Sequence, residues 1–344
     1  MKLIERKKEL RRKIKYSKTV FIMAHKDLDL DALGSSIGLY IILEKLNKNC
    51  FLIINDTKHE SGVSKVFKEL EGCLKIIKDD EIEEKLYIRQ KKNLLIILDT
   101  NKEELVQSSD ALNYFDKENI IILDHHELGE TSIDANLRII ENDISSTCEM
   151  ITNLIETYKM ELDPYYATLL LSGIVLDTNN FTLKTNSETY YAAYYLSSMG
   201  ASTKKVQYLL KQDLKEYIER QKVITNVDII NNRIAIAKGS PYMVYRREDI
   251  AKIADTLLFF NDIEASFVIA KTTSKTISIS GRSLGNYDIS EILTPLGGGG
   301  NKTVGATRIS DSTISKVETK LKQILKKEEE YNGNNLYKRF KRTR

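Results

Sequence analysis

The stretch Phe21-Ile-Met-Ala-His25-Lys-Asp27-Leu-Asp29-Leu-Asp31-Ala-Leu-Gly34-Ser35 decides how this chain is read. It begins apolar and β-prone, then presents a histidine and three aspartates at alternate positions. A small-residue turn follows, and then Leu39, Ile42, Leu43 and Leu46 recur at helical spacing. Imidazole and carboxylate donors that dense at the end of a strand suit divalent metals. A solvated acidic loop is the plainer reading, and this stretch alone leaves both open.

Outward from it, Leu94-Leu-Ile-Ile-Leu98 and Ile120-Ile-Ile-Leu123 are continuous apolar runs, each followed by aspartate, Asp99 and Asp124. Buried parallel strands flanked by helices read this way. Thr19 to Ala24 and Cys50 to Ile54 supply two more strands. The expected fold is α/β, a doubly wound, mainly parallel sheet with ligands at the carboxyl ends of its strands. Ser146-Thr-Cys-Glu149 opens a helix as a capping box. Asp163-Pro164 opens another, which runs through Ile174 and Val175 into Asp177. Thr203 to Val223, rich in Lys and Gln, predicts one long connector helix. Beyond it come strands at Arg233 to Ala237, Ala265 to Ala270, Lys275 to Gly281 and near Thr303. Helices are expected from Glu248 to Phe260, after Asp288, and from about Thr313 to Glu329; the second ends in Gly297-Gly-Gly-Gly300. The expected order is a charged helix over 1–18, a metal-binding catalytic domain over 19–200, a connector helix over 201–226, a smaller α/β domain over 227–330 and a basic tail over 331–344, read as disordered.

At 344 residues the chain is long enough for two domains. Its 42% hydrophobic and 29% charged residues are an ordinary globular balance, and a net charge of +3 does not argue for a nucleic-acid partner. Basic residues gather at both ends, where such runs are usually solvated. Cys50, Cys73 and Cys148 are scattered without metal-type spacing, which suits a reducing compartment. No apolar run approaches the roughly 20 residues that cross a bilayer, and the charged start does not read as a signal peptide. A soluble, cytoplasmic protein is expected.

Four segments carry the chemistry: His25 with Asp29 and Asp31; Asp99; Asp124-His125-His126; and Asp177 in Gly173-Ile-Val-Leu-Asp-Thr178. Three of the four histidines lie in them. An aspartate after a strand is more often a helix cap than a ligand, and a single histidine more often packs. Recurrence outweighs both, because apolar stretch after apolar stretch ends in the same donors. Carboxylates bridging two cations about 3.5–4 Å apart, with imidazoles beside them, make a two-metal centre. Donors without thiolate favour manganese, with cobalt, iron, zinc or magnesium as alternatives. In the second half, bare amides of a glycine run can approach a phosphate, and Arg282 can grip one in bidentate fashion. A flexible loop is the plain reading of the glycines. They are not a P-loop, because no Gly precedes Lys302.

Together these segments resemble the DHH phosphoesterase family, named for the triplet that stands here as Asp124-His125-His126. The resemblance covers about Thr19 to Leu325. The second half resembles the DHH-associated domain through Gly281-Arg-Ser283 and Gly297 to Gly300. Within the family it runs to the cyclic-di-AMP phosphodiesterases of the GdpP type, through Phe21 to Lys26, Ser145 to Glu149, Gly173 to Phe181 and Gly281-Arg-Ser-Leu-Gly285. It implies a first metal on His25, Asp29 and Asp99, and a second on Asp31, Asp99, His125 and Asp177. It also implies that Asp124 orients a ligand from behind, that His126 contacts the scissile phosphate or leaving oxygen, and that Ser146 and Thr147 line the cleft. Arg282, Ser283, Gly298, Gly299, Gly300 and Asn301 would bind the rest of the substrate. The family's glycine run usually ends in His; Asn301 can only hydrogen-bond where imidazole could also stack or carry charge.

The implied activity is manganese-dependent hydrolysis of cyclic di-AMP to linear pApA by a two-metal mechanism, in a protein that is a homodimer as relatives often are. Membrane and sensory parts that such relatives carry are not in this sequence, so a stand-alone form and the catalytic part of a longer protein are both open. Three rivals are weighed: a nanoRNase or pAp phosphatase cutting short oligonucleotides, a non-catalytic nucleotide sensor that kept the fold, and a RecJ-type exonuclease. The last would need a broad basic groove, which is not visible, so no long nucleic acid is expected as a partner.

Overall fold

The structure, a computed structural model, describes residues 3–55, 59–128 and 131–326. The basic tail expected over 331–344 lies outside these residues. The chain divides into two compact units, Met1–Lys211 and Gln212–Arg344.

The first unit runs α1 (Leu3–Tyr16), β1 (Thr19–Met23), α2 (Leu30–Lys45), β2 (Asn49–Ile53), α3 (Ser61–Glu69), β3 (Ile76–Ile77), α4 (Ile82–Lys85), β4 (Asn93–Leu98), β5 (Ile120–Asp124), β6 (Leu137–Ile140), α5 (Thr147–Thr157), α6 (Pro164–Asp177), α7 (Ser187–Ser198) and α8 (Thr203–Leu209). Its six strands pair in parallel in the order β3-β2-β1-β4-β5-β6. The order reverses between β1 and β4, and a doubly wound sheet opens its ligand crevice at such a reversal.

Strand periodicity divides the core. Val20 and Ile22 of β1 face one apolar cluster with α2, α5 and α6, while Phe21 and Met23 face the other. The second face is covered by α4 and short turns through Ala111 and Phe115 rather than by long helices. On the first face α2 is apolar almost all round and buried from Leu30 to Leu43. Glycines bring its neighbours close. A Cβ on Gly34 would lie 2.9 Å from Cys148 Sγ, and one on Gly173 would lie 2.4 Å from it.

The second unit runs α9 (Leu214–Ile224), β7 (Val227–Ile230), β8 (Ile234–Lys238), α10 (Arg247–Leu257), β9 (Ala265–Lys271), β10 (Thr276–Ser283), α11 (Ile289–Leu293), β11 (Gly299–Gly300), β12 (Val304–Ser310) and α12, residues 314–326. Its sheet has the order β11-β12-β10-β9-β8-β7 and is antiparallel except between β8 and β9.

Two local expectations change. The connector helix expected over 201–226 is two helices. Asp213 Oδ1 accepts from the amides of Lys215 and Glu216, so it caps α9 and ends the run from α8. The glycine run is not wholly loop either, since Gly299 and Gly300 pair with Ala306 and Gly305.

Candidate metal centre

β1 delivers His25 to the carboxyl edge of the sheet. Its Nδ1 lies 2.6 Å from the Lys26 carbonyl, which can only accept, so Nδ1 carries the hydrogen and Nε2 is left for a ligand. That Nε2 is 3.3 Å from Asp99 Oδ2 and 3.8 Å from Asp29 Oδ1. Gln107 pins the residue by donating to its carbonyl at 2.9 Å. Asp29 is both helix cap and donor, because its Oδ1 also accepts the amides of Asp31 and Ala32 at the start of α2.

Asp99 follows β4 in the left-handed region, φ 61°. Its two oxygens face opposite ways. Oδ2 faces His25, while Oδ1 lies 3.4 Å from His125 Nε2 and accepts the Thr147 hydroxyl at 2.9 Å. Asp31, fully buried, accepts the amides of Thr147 and Cys148 at the start of α5, both at 2.8 Å. The helix N-terminus thereby offsets part of the buried charge. Thr147 thus touches two carboxylates, whereas the buried Ser146 hydroxyl accepts the Glu149 amide as a plain cap.

His125 is buried, and its Nε2 also lies 3.1 Å from Asp177 Oδ2 at the end of α6. Neither of its ring nitrogens forms a well-angled hydrogen bond among the described residues. Unbonded buried imidazole nitrogens set among carboxylates fit a cation. After Asp177 the chain makes a left-handed turn, with φ of 45°, 58° and 62° at Asn179, Asn180 and Phe181. Left-handed backbone costs about 1–2 kcal/mol per non-glycine residue.

His126 is half exposed and does not share its neighbour's setting. Asp124 Oδ1 accepts its amide at 3.1 Å and lies 2.8 Å from its Nδ1. Asp124 Oδ2 in turn accepts from Asn101 Nδ2 at 2.6 Å. Asp124 therefore orients His126, not the buried His125.

Three donor sets converge within 4.8 Å each: His25, Asp29 and Asp99; Asp31, His125 and Asp177; Asp99, His125 and His126. The electrostatics show a surplus of negative charge. Burial, then Asp99 and Asp177, hold the Asp31 carboxyl well above its ordinary pKa, and burial also raises Asp177. Burial would raise Asp99 too, but His125 and His25 outweigh it and hold it well below. Burial opposes charge on His25, yet Asp29 and Asp99 hold its pKa well above normal; Asp177 and Asp99 do the same for His125.

The substrate residues expected in the second unit are placed less freely. Arg282 donates from Nε to Asp255 at 2.6 Å, and from Nη1 to Ser280 and Gly281. The buried Ser283 hydroxyl bonds the Tyr287 carbonyl at 2.7 Å, so it holds a loop instead of lining a surface. Asn301 Oδ1 accepts the amides of Thr303 and Val304, closing a turn. Gly298 and Gly300 are forced by packing, since a Cβ would meet Thr307 Cβ at 2.6 Å and Val304 O at 2.2 Å, while Gly299 stands in open space. Sequence reading missed Asn101 and Gln107, which bond the site from behind and carry no motif of their own.

Residues 19–174 match the family described as DHH family, N-terminal domain. The chain is 37% identical over 326 residues to cyclic-di-AMP phosphodiesterase GdpP of Geobacillus thermodenitrificans, covering 92% of this chain and 48% of that protein. It is 36% identical over 313 residues to cyclic-di-AMP phosphodiesterase PdeA of Listeria monocytogenes, covering 90% and 47%. The chain thus spans about half the length of these curated relatives. Among solved structures, an exopolyphosphatase-related protein from Bacteroides fragilis superposes with a TM-score of 0.75 at 20% identity, covering 93% of this chain and 95% of that one, a likeness of fold.

Proposed function

We propose, from the match of residues 19–174 to the DHH family, N-terminal domain, that the chain is a member of that family and hydrolyses cyclic di-AMP to pApA with two divalent cations. The observation that carries the reading is Asp99, one oxygen toward His25 and the other toward His125, at the point where two donor sets meet. His25, Asp29 and Asp99 would hold one cation, and Asp31, Asp99, His125 and Asp177 the other. Bound there, the pair would supply activated water and neutralise charge on the phosphoryl oxygens; manganese is the first choice.

The chain's own groups do the rest. Thr147 fixes Asp99, and the start of α5 fixes Asp31, so the carboxylates do not swing when substrate arrives. Asp124 Oδ1 accepts from Nδ1 of His126 and orients the ring, so that in its imidazolium form Nε2 gives its proton to the departing ribose 3′ oxygen and the neutral ring keeps the Nδ1 hydrogen. Arg282, Gly298 to Gly300 and Asn301 are assigned to the distal part of the substrate. Arg282 must share its guanidinium with Asp255, and the Asn301 side-chain carbonyl is taken up by its own turn. The reading extends to a cytoplasmic homodimer in which Cys50, Cys73 and Cys148 stay as thiols.

No helix among the described residues is long and apolar enough to cross a membrane. The direct test offers purified protein cyclic di-AMP, pApA and pAp side by side with manganese. Turnover of cyclic di-AMP to pApA is expected; turnover of the linear substrates alone would move the assignment to a short-oligonucleotide enzyme.

A further inference from the structure

We propose that the stacked rings of Phe181 and Tyr190 form a platform on which a purine base of the substrate stacks. The inference rests on the nucleotide reading above and names a contact for it.

The backbone gives the first reason. Phe181 ends three consecutive left-handed residues, and a bulky aromatic seldom occupies that region. Its amide donates to Thr178 Oγ1 at 3.0 Å, which ties the turn to the end of α6. Strain held this firmly collects where a side chain must point one way for function. Here it brings the ring against Tyr190, centroids 5.6 Å apart and planes 18° from parallel. Tyr190 is nevertheless 57% exposed, so aromatic surface remains for a third ring.

Position gives the second. Phe181 lies four residues from Asp177, so the chain cannot separate them by more than about 14 Å. From the other side, Tyr190 follows Thr189, whose hydroxyl donates to Asn186 Oδ1 at 3.3 Å in the cap of α7. Asn186, which caps α7, also donates to the Asp143 carbonyl at 3.1 Å. The turn after Asp177 and the cap of α7 therefore tie the ring pair to chain that adjoins α6 and α5, the helices that carry Asp177 and Thr147. A nucleotide with its phosphate at the metal centre carries its base within that range. Stacking needs only a π-face, and no edge-reading group is required.

The test compares kcat/KM of wild type, Tyr190→Ala and Tyr190→Phe on cyclic di-AMP and on its cyclic abasic analogue. Tyr190→Ala is expected to lower the ratio of cyclic di-AMP to abasic turnover about tenfold, and Tyr190→Phe to restore it. Equal losses on both substrates, or no loss on either, would overturn the platform. Should wild type cleave neither, the activity fails separately, and binding of AMP against ribose 5-phosphate judges the platform. A preference for AMP that Tyr190→Ala removes supports it; a preference absent or retained overturns it.

Discussion

Asp99 is where the chemistry of the site converges, and its substitution is the sharpest single-residue test. Asp99→Ala removes a donor from both sets at once, so hydrolysis is expected to fall to background, measured as initial rate at saturating manganese. Survival of turnover would mean that the donors have been misassigned. Thr147 is subtler. Its hydroxyl holds Asp99 Oδ1, and groups that orient ligands are worth about 10–100-fold in metal affinity or activity. Thr147→Val is expected to weaken manganese binding by that factor in a calorimetric titration, and Thr147→Ser to keep most of it. The candidate donors were legible, because apolar stretch after apolar stretch, three of them strands and one the helix α6, runs into aspartate or histidine. Asn101 was not, since an asparagine in a loop carries no pattern until Asp124 is seen beside it. Asp29 shows why weighing cap against ligand misleads: it is placed to be both.

At the scale of elements, the site depends on how closely three helices approach. A Cβ on Gly173 would meet Cys148 Sγ at 2.4 Å and the Asp31 Cα at 2.9 Å. Gly173→Ala must therefore move the start of α5 or the ligand loop, at a cost of about 1–3 kcal/mol. Loss of metal binding along with stability is expected, read by calorimetry and urea unfolding of one preparation. The glycine run offers a contrast. Gly300→Ala, at φ 145° and 2.2 Å from the Val304 carbonyl, is expected to cost about 2–3 kcal/mol, and Gly299→Ala less than about 0.5. In the second unit Arg220 and Arg246 grip Asp249 between α9 and α10. Burial would raise that carboxyl, but the two guanidiniums outweigh it and hold it below its ordinary value. The fold therefore favours its charged form. That stabilisation is complete above the unfolded pKa of about 3.9 and is lost as pH falls through the lower folded one. Asp249→Asn should flatten the loss of amide protection in β8 and β9 between about pH 5 and 3. Long apolar strands such as β4 and β5 were plain from sequence. The break between α8 and α9 was not, because Asp213 reads as one more polar residue until its side chain is seen capping.

For the molecule as a whole, the parallel order β3-β2-β1-β4-β5-β6 puts the ends of β1, β4 and β5 side by side, which is how segments some 150 residues apart in sequence share one centre. The alternation of apolar and donor-bearing segments predicted that layout. What sequence could not show was how the second unit engages its own groups: Arg282 with Asp255, Ser283 with Tyr287, Asn301 with its own turn. The first is made by α10 packing on β10 and the other two close local turns, and neither leaves a periodic mark in the sequence. The most direct measurement is anomalous diffraction from crystals grown with manganese. Two peaks are expected, one among His25, Asp29 and Asp99 and one among Asp31, Asp99, His125 and Asp177. Density for neither, at full occupancy of manganese in solution, would contradict the two-cation centre and the hydrolysis built on it.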